Sequence, residues 1–339
     1  MNVLIVGAGS FGTSIGKILA ENNCAVKLYS HEKKVIGQIN DSHENKKYLK
    51  GIKLPEGIEA TESMESGLLG IDTIIVAVPS IYVASVISKI SNNVEGKNIP
   101  IGIVTKGFID IGGKPLLISE ALKDLPIEKQ TAYLYGPTNA HELANGTYSG
   151  FICASENKKI GDHFYKIFKS SQINIHQSQD IEGVQFGAAM KNIYAIFCGM
   201  VEGLESKGDK KIGYNTKSYI FSLFMDEMEE LLSIFSNAKC KTISGVAFLG
   251  DLFMSCSSPY CRNRRFGHEI VSKEILSRNN WNIDKVLENT NYLPEGVYAL
   301  KQLHKRKKNF KIKTPIIDLL YEIVYKKRDP KTIMEVIFK

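Results

Sequence analysis

Apolar and polar positions change rhythm partway along the chain, and the change predicts two kinds of architecture. In the first part, short apolar runs alternate with amphipathic stretches. Asn2–Val6 reads as a buried strand, Phe11–Glu21 as a helix, and Ala25–Tyr29 as a second strand with Val26 and Leu28 inward. Thr73–Val78 and Ile99–Val104 are further apolar runs, ending at Pro79 and at Thr105-Lys106-Gly107. Strands that are apolar throughout, rather than at every second position, are expected to be covered on both faces. The pattern therefore predicts a Rossmann-type, doubly wound parallel sheet.

Beyond about residue 180 helical periodicity takes over, at Ile181–Gly203, Tyr214–Phe235, Ser272–Leu276, Asp284–Asn289 and Ile316–Tyr325. A switch near Ser178–Ile181 divides the chain into an α/β dinucleotide-binding domain, 1–180, and an all-helical substrate domain, 181–339. The most linker-like stretch is Ser206–Gly213, and there is no internal repeat or low-complexity tract.

Composition narrows the function. The chain has 339 residues, 43% hydrophobic and 23% charged. That is an ordinary globular composition and excludes a disordered tail, a collagen-like repeat and a coiled coil. The net charge of +7 is mild for this length. It suits anionic small ligands better than nucleic acid, for which a densely basic face is expected. Cys24, Cys153, Cys198, Cys240, Cys256 and Cys261 show neither a C-x-x-C pair nor metal-ligand spacing, so no metal site is expected. Several lie in apolar runs as reduced core cysteines do, which predicts a cytoplasmic protein. The apolar N-terminus has no charged region ahead of it and is interrupted by Gly7, Gly9, Gly12 and Gly16, unlike a signal peptide. No apolar run reaches the ~18 residues of a membrane span, so no integral membrane association is expected.

Gly7-Ala8-Gly9-Ser10-Phe11-Gly12 is a G-x-G-x-x-G between a strand and a helix, the context in which that motif holds a dinucleotide. Gly7 allows the tight turn, Gly9 lets backbone approach a pyrophosphate, and Gly12 lets helix and strand pack closely. The helix N-terminus adds N–H donors and partial positive charge. At the end of the second strand stands Ser30, followed by His31, Glu32, Lys33 and Lys34. No carboxylate occupies the strand end itself, where one would favour NAD. Ser30, His31 and Lys33 suit a 2′-phosphate, so NADP is favoured with NAD open. Lys33 and Lys34 read equally well as caps of a surface loop.

Three features carry charge into apolar surroundings. Lys191 is the only charged residue between Gly183 and Val201. An ammonium kept in such a helix is a candidate proton donor or carbonyl-polarising group, with Asn192 offering an amide beside it. A lysine snorkelling from a half-exposed helix is the plainer reading. Asp251 is the only charge between Ser244 and Ser258. It reads equally as the partner of Lys191 and as a helix N-cap. Arg262-Asn263-Arg264-Arg265 makes a candidate anion site beside the hydroxyl-rich Ser255–Ser258, against the reading of a solvated basic turn. Lys106 and Gly136-Pro137-Thr138 lie in strand-end turns, where doubly wound folds bind ligands. Together these residues point to hydride transfer to the carbonyl of a small phosphorylated substrate.

The chain resembles the bacterial NAD(P)-dependent glycerol-3-phosphate dehydrogenases nearly end to end. The resemblance rests on GAGSFG (7–12), ENKKYLKGIKLP (44–55), AVPS (77–80), TKG (105–107), GPTNAHELANG (136–146), GAAMKNIYAIFCGMVEGL (187–204), GYNTKSYIF (213–221), GVAFLGDLFMSCSS (245–258), RNRRFG (262–267) and PEG (294–296). It implies reversible reduction of dihydroxyacetone phosphate to sn-glycerol 3-phosphate, a glycerophospholipid precursor, in a cleft between the domains. It also implies Lys191 as proton donor and acceptor. Lys106, Gly136, Thr138, Asp251, Cys261, Arg262 and Asn263 match substrate positions. Ser10, Phe11, His31, Lys106, Ala140, Arg262, Leu293 and Glu295 match cofactor positions, and Asn192 and Ser255 match pocket-lining residues. Tyr135, Asn139 and Cys261 depart from the family's usual residues, and Glu205–Gly213 is longer than usual. Cys261 replaces a usual serine, trading a hydroxyl donor for an oxidisable thiol.

Two other readings compete: an NADP-dependent reductase of a carboxylate keto or hydroxy acid, and a catalytically inactive dinucleotide sensor. A homodimer is plausible. Residues 301–313 hold seven basic side chains, read first as a solvated surface and second as a contact for anionic lipid.

Overall fold

Val3–Val6 are fully buried, as a strand must be when helices cover both faces of its sheet. They belong to an interior strand of an eight-stranded sheet in this computed structural model. It describes residues 1–338 apart from 95, 171, 236, 237, 274 and 276–281. The strands are β1 (Asn2–Val6), β2 (Ala25–Tyr29), β3 (Ile58–Thr61), β4 (Thr73–Val76), β5 (Ile101–Ile103), β6 (Ile109–Ile111), β7 (Lys114–Leu116), β8 (Thr131–Tyr135), β9 (Ser149–Ala154) and β10 (Ile173–Ser178). Among them lie α1 (Ser10–Glu21), α2 (Lys33–Ser42), α3 (Met64–Gly67), α4 (Ser80–Asn93), α5 (Ile118–Leu122), α6 (Ala140–Ala144) and α7 (Lys158–Phe168).

The sheet order is β10-β9-β8-β5-β4-β1-β2-β3, with β6 and β7 forming a separate hairpin. The expected parallel pairing holds from β8 to β3, but β9 runs antiparallel to β8 and β10 follows β9. The short α6 stays at the carboxyl end of β8, so the chain re-enters the sheet from that end instead of crossing back. Strands predicted over Thr73–Val78 and Ile99–Val104 pair only at Thr73–Val76 and Ile101–Ile103. Register aligns Val6 with Val76, Val76 with Ile103, and Ile103 with Tyr133. The turns after β1, β4, β5 and β8 therefore meet along one edge, bringing Gly7, Ala77, Lys106 and Gly136 to the same end of the sheet.

Helices follow from α8 (Ile181–Ser206) through α9 (Tyr214–Leu232), α10 (Cys240–Ile243), a π turn at Val246–Gly250, α11 (Asp251–Ser257), α12 (Arg262–Ser272), α13 (Ile283–Glu288), α14 (Glu295–Lys307), α15 (Pro315–Lys326) and α16 (Thr332–Ile337). The predicted helix at Tyr214–Phe235 stops at Leu232. The one predicted at Ser272–Leu276 lies partly outside the described residues, and its Ser272 is the last residue of α12. Ser206–Gly213 contains the turn from α8 to α9, between two helices of the second half.

α8 is the core of this half. By length and hydropathy alone it could cross a membrane, but 94% of its apolar window is buried inside the fold. Asp180 caps its start, accepting from Gly183 N at 2.9 Å. α12 packs on it backbone to backbone: a Cβ on Gly199 would sit 1.9 Å from Arg264 O, and one on Gly267 2.0 Å from Ile196 O. The two halves are clasped by Arg306, whose guanidinium forks onto Glu120 at 2.5 and 2.7 Å and lies 4.3 Å from the Phe235 ring centre. Lys305 and Lys307 of the same basic segment pair with Asp110 and Asp318, so part of that run is engaged in holding the fold.

Candidate active site

A cleft of about 1110 Å³ opens between the sheet edge and the helices. Its first wall is the turn after β1. Gly7 has φ +118°, and a Cβ there would lie 2.7 Å from Ala77 O. A Cβ on Gly12 would lie 1.9 Å from Gly7 O, so only glycine lets α1 start this close to the strand. Gly9, by contrast, has nothing within 4 Å of its Cβ position: it faces open space. The first turn of α1 takes no side-chain cap, which leaves its N–H groups for a ligand. The turn thus fits a dinucleotide pyrophosphate, with Gly7, Gly9, Ser10 and Phe11 lining the cleft and Gly12 packed behind it.

The wall at the end of β2 differs from expectation. Ser30, His31 and Glu32 line the cleft, but Lys33 does not. Lys33 begins α2, its side chain is 85% exposed, and its nearest acid is Glu62 at 3.9 Å. The cation in the wall is Lys47, beside Tyr48. Both are set by Asn45, a buried amide that donates to Ala8 O and Thr13 Oγ1, each at 2.8 Å. Lys46, Lys47, Lys50 and Lys53 mark the segment as basic, but nothing local to it places Lys47 against the end of β2; that contact is made only in the fold.

At the far end sit the ionisable groups. Asp251 is fully buried and lies between two lysines. Lys106 Nζ reaches its Oδ2 at 2.5 Å, and Lys191 Nζ lies 3.0 Å from Oδ1. The sequence proposes Lys191 alone as partner; the fold adds Lys106, because the β5 turn ends opposite the start of α11. Asp251 is the first residue of α11, and no side-chain capping bond is made at that terminus. Lys106 also donates to Gly136 O at 3.0 Å and Lys191 to Ser255 Oγ at 2.8 Å. Burial holds the Lys106 ammonium down to about 8, against the opposing pull of Asp251. Burial acts most strongly on Lys191 too, but Asp251, Cys261 and Glu295 together outweigh it and Lys191 stands above the usual lysine value. Burial raises the Glu295 carboxyl although Arg262, Lys191 and Lys106 oppose it.

Amides orient this cluster. Asn263 Nδ2 donates to Asn192 Oδ1, and Asn263 Oδ1 accepts from Gly296 N, both at 2.9 Å. Thr138 Oγ1 donates to Gly136 O at 3.2 Å. Lys106, Thr138, Ala140, Lys191, Asn192, Ser255, Cys261, Arg262, Asn263, Leu293 and Glu295 all line the cleft, whereas Gly136 and Asp251 stand one layer behind it.

The arginine run divides. Arg264 turns away to Glu202 at 2.8 Å, and Arg265 lies 3.8 Å over the Tyr292 ring at the rim. Only Arg262 enters the cleft without an ion pair among the described residues, at the first residue of α12. Cys261 precedes it and makes no side-chain cap bond.

A glycine cradle joined to a buried lysine pair and a free arginine defines a nicotinamide-dinucleotide-dependent oxidoreductase. Two family models agree: NAD-dependent glycerol-3-phosphate dehydrogenase N-terminus matches residues 2–161, and the C-terminus model of the same family matches 180–335. The chain belongs to the NAD-dependent glycerol-3-phosphate dehydrogenase family, whose members use NAD or NADP. It is 33% identical to the glycerol-3-phosphate dehydrogenase (NAD(P)+) of Treponema pallidum strain Nichols, covering 98% of each chain. It is 31% identical to that of Clostridium botulinum strain Alaska E43, covering 98% of this chain and 96% of the relative. The crystal structure of glycerol-3-phosphate dehydrogenase from Coxiella burnetii matches with TM-score 0.86 at 25% identity, over 100% of this chain and 98% of that one.

Proposed function

We propose that the chain reversibly reduces dihydroxyacetone phosphate to sn-glycerol 3-phosphate with NAD(P)H, Lys191 being the proton donor and acceptor. The observation that carries this reading is the buried Lys106–Asp251–Lys191 cluster opening onto the same cleft as the glycine cradle.

The glycine cradle and the first turn of α1 would hold the dinucleotide, which when bound would supply the hydride for the carbonyl carbon. The Lys191 ammonium supplies the proton for the carbonyl oxygen. Asp251 keeps that ammonium charged in a buried site, and Ser255 Oγ directs one of its N–H bonds. An alkoxide is a far stronger base than an amine, so transfer from a lysine of raised affinity still runs downhill. Lys106 balances the second Asp251 oxygen and adds positive charge where negative charge develops. Arg262, at a helix start, suits a phosphate fork. Asn192 and Asn263 hold the helices in register around the reacting atoms.

The division near residue 180 then places the glycine cradle in the first part and Lys191, on α8, in the second, with the cleft lined from both. The six cysteines are all free, which supports a reducing, cytoplasmic setting. On this reading the product serves as a glycerophospholipid precursor.

The test is oxidation of NADPH and NADH with dihydroxyacetone phosphate, beside a folded Lys191→Ala variant that still binds cofactor. Turnover lost in the variant is the expected result. Turnover only with carboxylate keto acids, or cofactor binding with no turnover on any substrate, would overturn the assignment.

A further inference from the structure

The wall at the end of β2 contains an acid and a base already joined to each other. Glu32 occupies the residue before α2, where a capping side chain would ordinarily bond back to the helix, yet it makes no such bond. Its carboxylate points across the cleft wall instead. Lys47 Nζ is bonded to Glu32 Oε2, and Tyr48 Oη donates to Glu32 Oε1 at 2.5 Å. Lys47 Nζ also sits 4.8 Å from the Tyr48 ring centre. Ser30 Oγ accepts from Glu32 N at 3.1 Å, which shapes the turn that aims Glu32 this way.

Two facts tie this trio to the dinucleotide rather than to the general surface. Glu32, Lys47 and Tyr48 line the same cleft as Gly7–Phe11. The segment bearing Lys47 and Tyr48 is also pinned to the glycine turn itself, through Asn45 to Ala8 O, and Tyr48 N donates to Asn45 Oδ1 at 3.2 Å. A second pocket of about 750 Å³ shares Glu32 and Lys47 with the cleft and adds Lys34, Lys46 and Lys50, against the single further acid Glu44, so lysines outnumber acids around the pair.

In this fold the region beyond β2 meets the adenosine ribose: a carboxylate there accepts from a 2′-hydroxyl, and a cation receives a 2′-phosphate. Here both are present and occupy each other. We propose that the Glu32–Lys47 pair sets the choice between NAD and NADP, Glu32 acting as an internal competitor of the 2′-phosphate for Lys47. With an unphosphorylated ribose the pair stays closed and Glu32 keeps acceptor capacity for the hydroxyl. With a 2′-phosphate, Lys47 leaves Glu32 for the doubly charged newcomer, and Tyr48 Oη remains as the partner of Glu32. In neither state is Glu32 left without a hydrogen-bond partner, so the pair can open for one cofactor and stay closed for the other. Lys33, the residue that the order of the sequence suggests, takes no part.

This inference rests on the dinucleotide reading of the cleft and is tested without turnover. Dissociation constants for NADPH and NADH are measured by nucleotide fluorescence on the intact chain and on Glu32→Gln, Lys47→Gln and Lys33→Gln, with thermal melts to show that each variant is folded. Lys47→Gln is expected to weaken NADPH about tenfold at low salt, the scale of one charge-assisted contact, and NADH less than twofold. Glu32→Gln frees Lys47, so it is expected to tighten NADPH severalfold and to weaken NADH. Equal effects of Lys47→Gln on both cofactors, or loss of NADPH affinity in Lys33→Gln alone, would overturn the pair's role. If the unaltered chain binds neither cofactor, the dinucleotide reading itself fails.

Discussion

Asn263 Nδ2 donates to Asn192 Oδ1 at 2.9 Å, tying the first turn of α12 to the residue beside Lys191. The same amide accepts from Gly296 N, so one side chain joins three helices behind the reacting groups. Asn263→Ala would leave a buried carbonyl and a buried N–H without partners, at a cost of about 1–3 kcal/mol each. We expect lower stability in denaturant melts and a fall in kcat larger than any rise in KM. Asn263→Asp keeps the acceptor for Gly296 and should recover stability more than turnover.

Lys106 places an ammonium that titrates at about 8 within the site. Below that pH it is charged and shares Asp251 with Lys191. Above it the Asp251 oxygen keeps only a neutral amine as donor and the cleft loses positive charge. At saturating cofactor, kcat/KM for dihydroxyacetone phosphate should therefore fall above about pH 8. In Lys106→Arg, whose guanidinium stays charged, that limb should move to higher pH. An unchanged limb would assign it to another group.

Glu227 gives a pH dependence of stability. It is a buried α9 carboxyl whose Oε1 accepts from Ile316 N at 2.9 Å at the start of α15, and whose Oε2 accepts from Tyr194 Oη at 3.1 Å. Burial pushes it up to about 8 despite those donors. An unfolded glutamate titrates near ~4.3. The folded state thus holds the proton more tightly, and the contribution is complete below the unfolded value and lost as pH rises through about 8. Glu227→Gln keeps an acceptor without the titration. The difference in Tm between the unaltered chain and Glu227→Gln should move against the unaltered chain from pH 5 to pH 8; a constant difference would refute the titration.

The contact of α8 with α12 has no room for a methyl group. Gly199→Ala would place Cβ 1.9 Å from Arg264 O, so the helices must separate. We expect at least 1–3 kcal/mol of destabilisation, roughly the cost of overpacking, together with loss of turnover as Asn263 and Arg262 shift. Gly37→Ala in α2 has only Asp41 Oδ2 at 3.6 Å from the added methyl and should stabilise by up to about 1 kcal/mol through helix propensity. Urea titrations of the two variants separate crowding from propensity.

Local chemistry made much of this molecule readable before folding. The G-x-G-x-x-G was legible because a strand–turn–helix of that kind is specified by neighbours in the chain. Lys191 and Asp251 stood out because a lone charge in an apolar run must find a partner. The partner itself was not legible: Lys106 meets Asp251 across 145 positions, because sheet register puts the β5 turn opposite α11. The arginine run looked uniform, yet helix geometry turns its members apart, sending Arg264 to Glu202 and leaving Arg262 to the cleft.

By itself, then, the sequence determined the opening alternation of strand and helix, the helical character of the second half, the cradle and the ionisable residue types, since these depend on periodicity and on groups close together in the chain. Tertiary structure alone decided the reversal of β9 and β10, the sharing of one carboxylate by two lysines, and the replacement of Lys33 by Lys47 in the cleft wall. Those outcomes depend on distances between remote segments, which packing sets: glycines on α8 and α12 bring two helices into backbone contact, and a buried Asn45 holds a distant loop against the glycine turn.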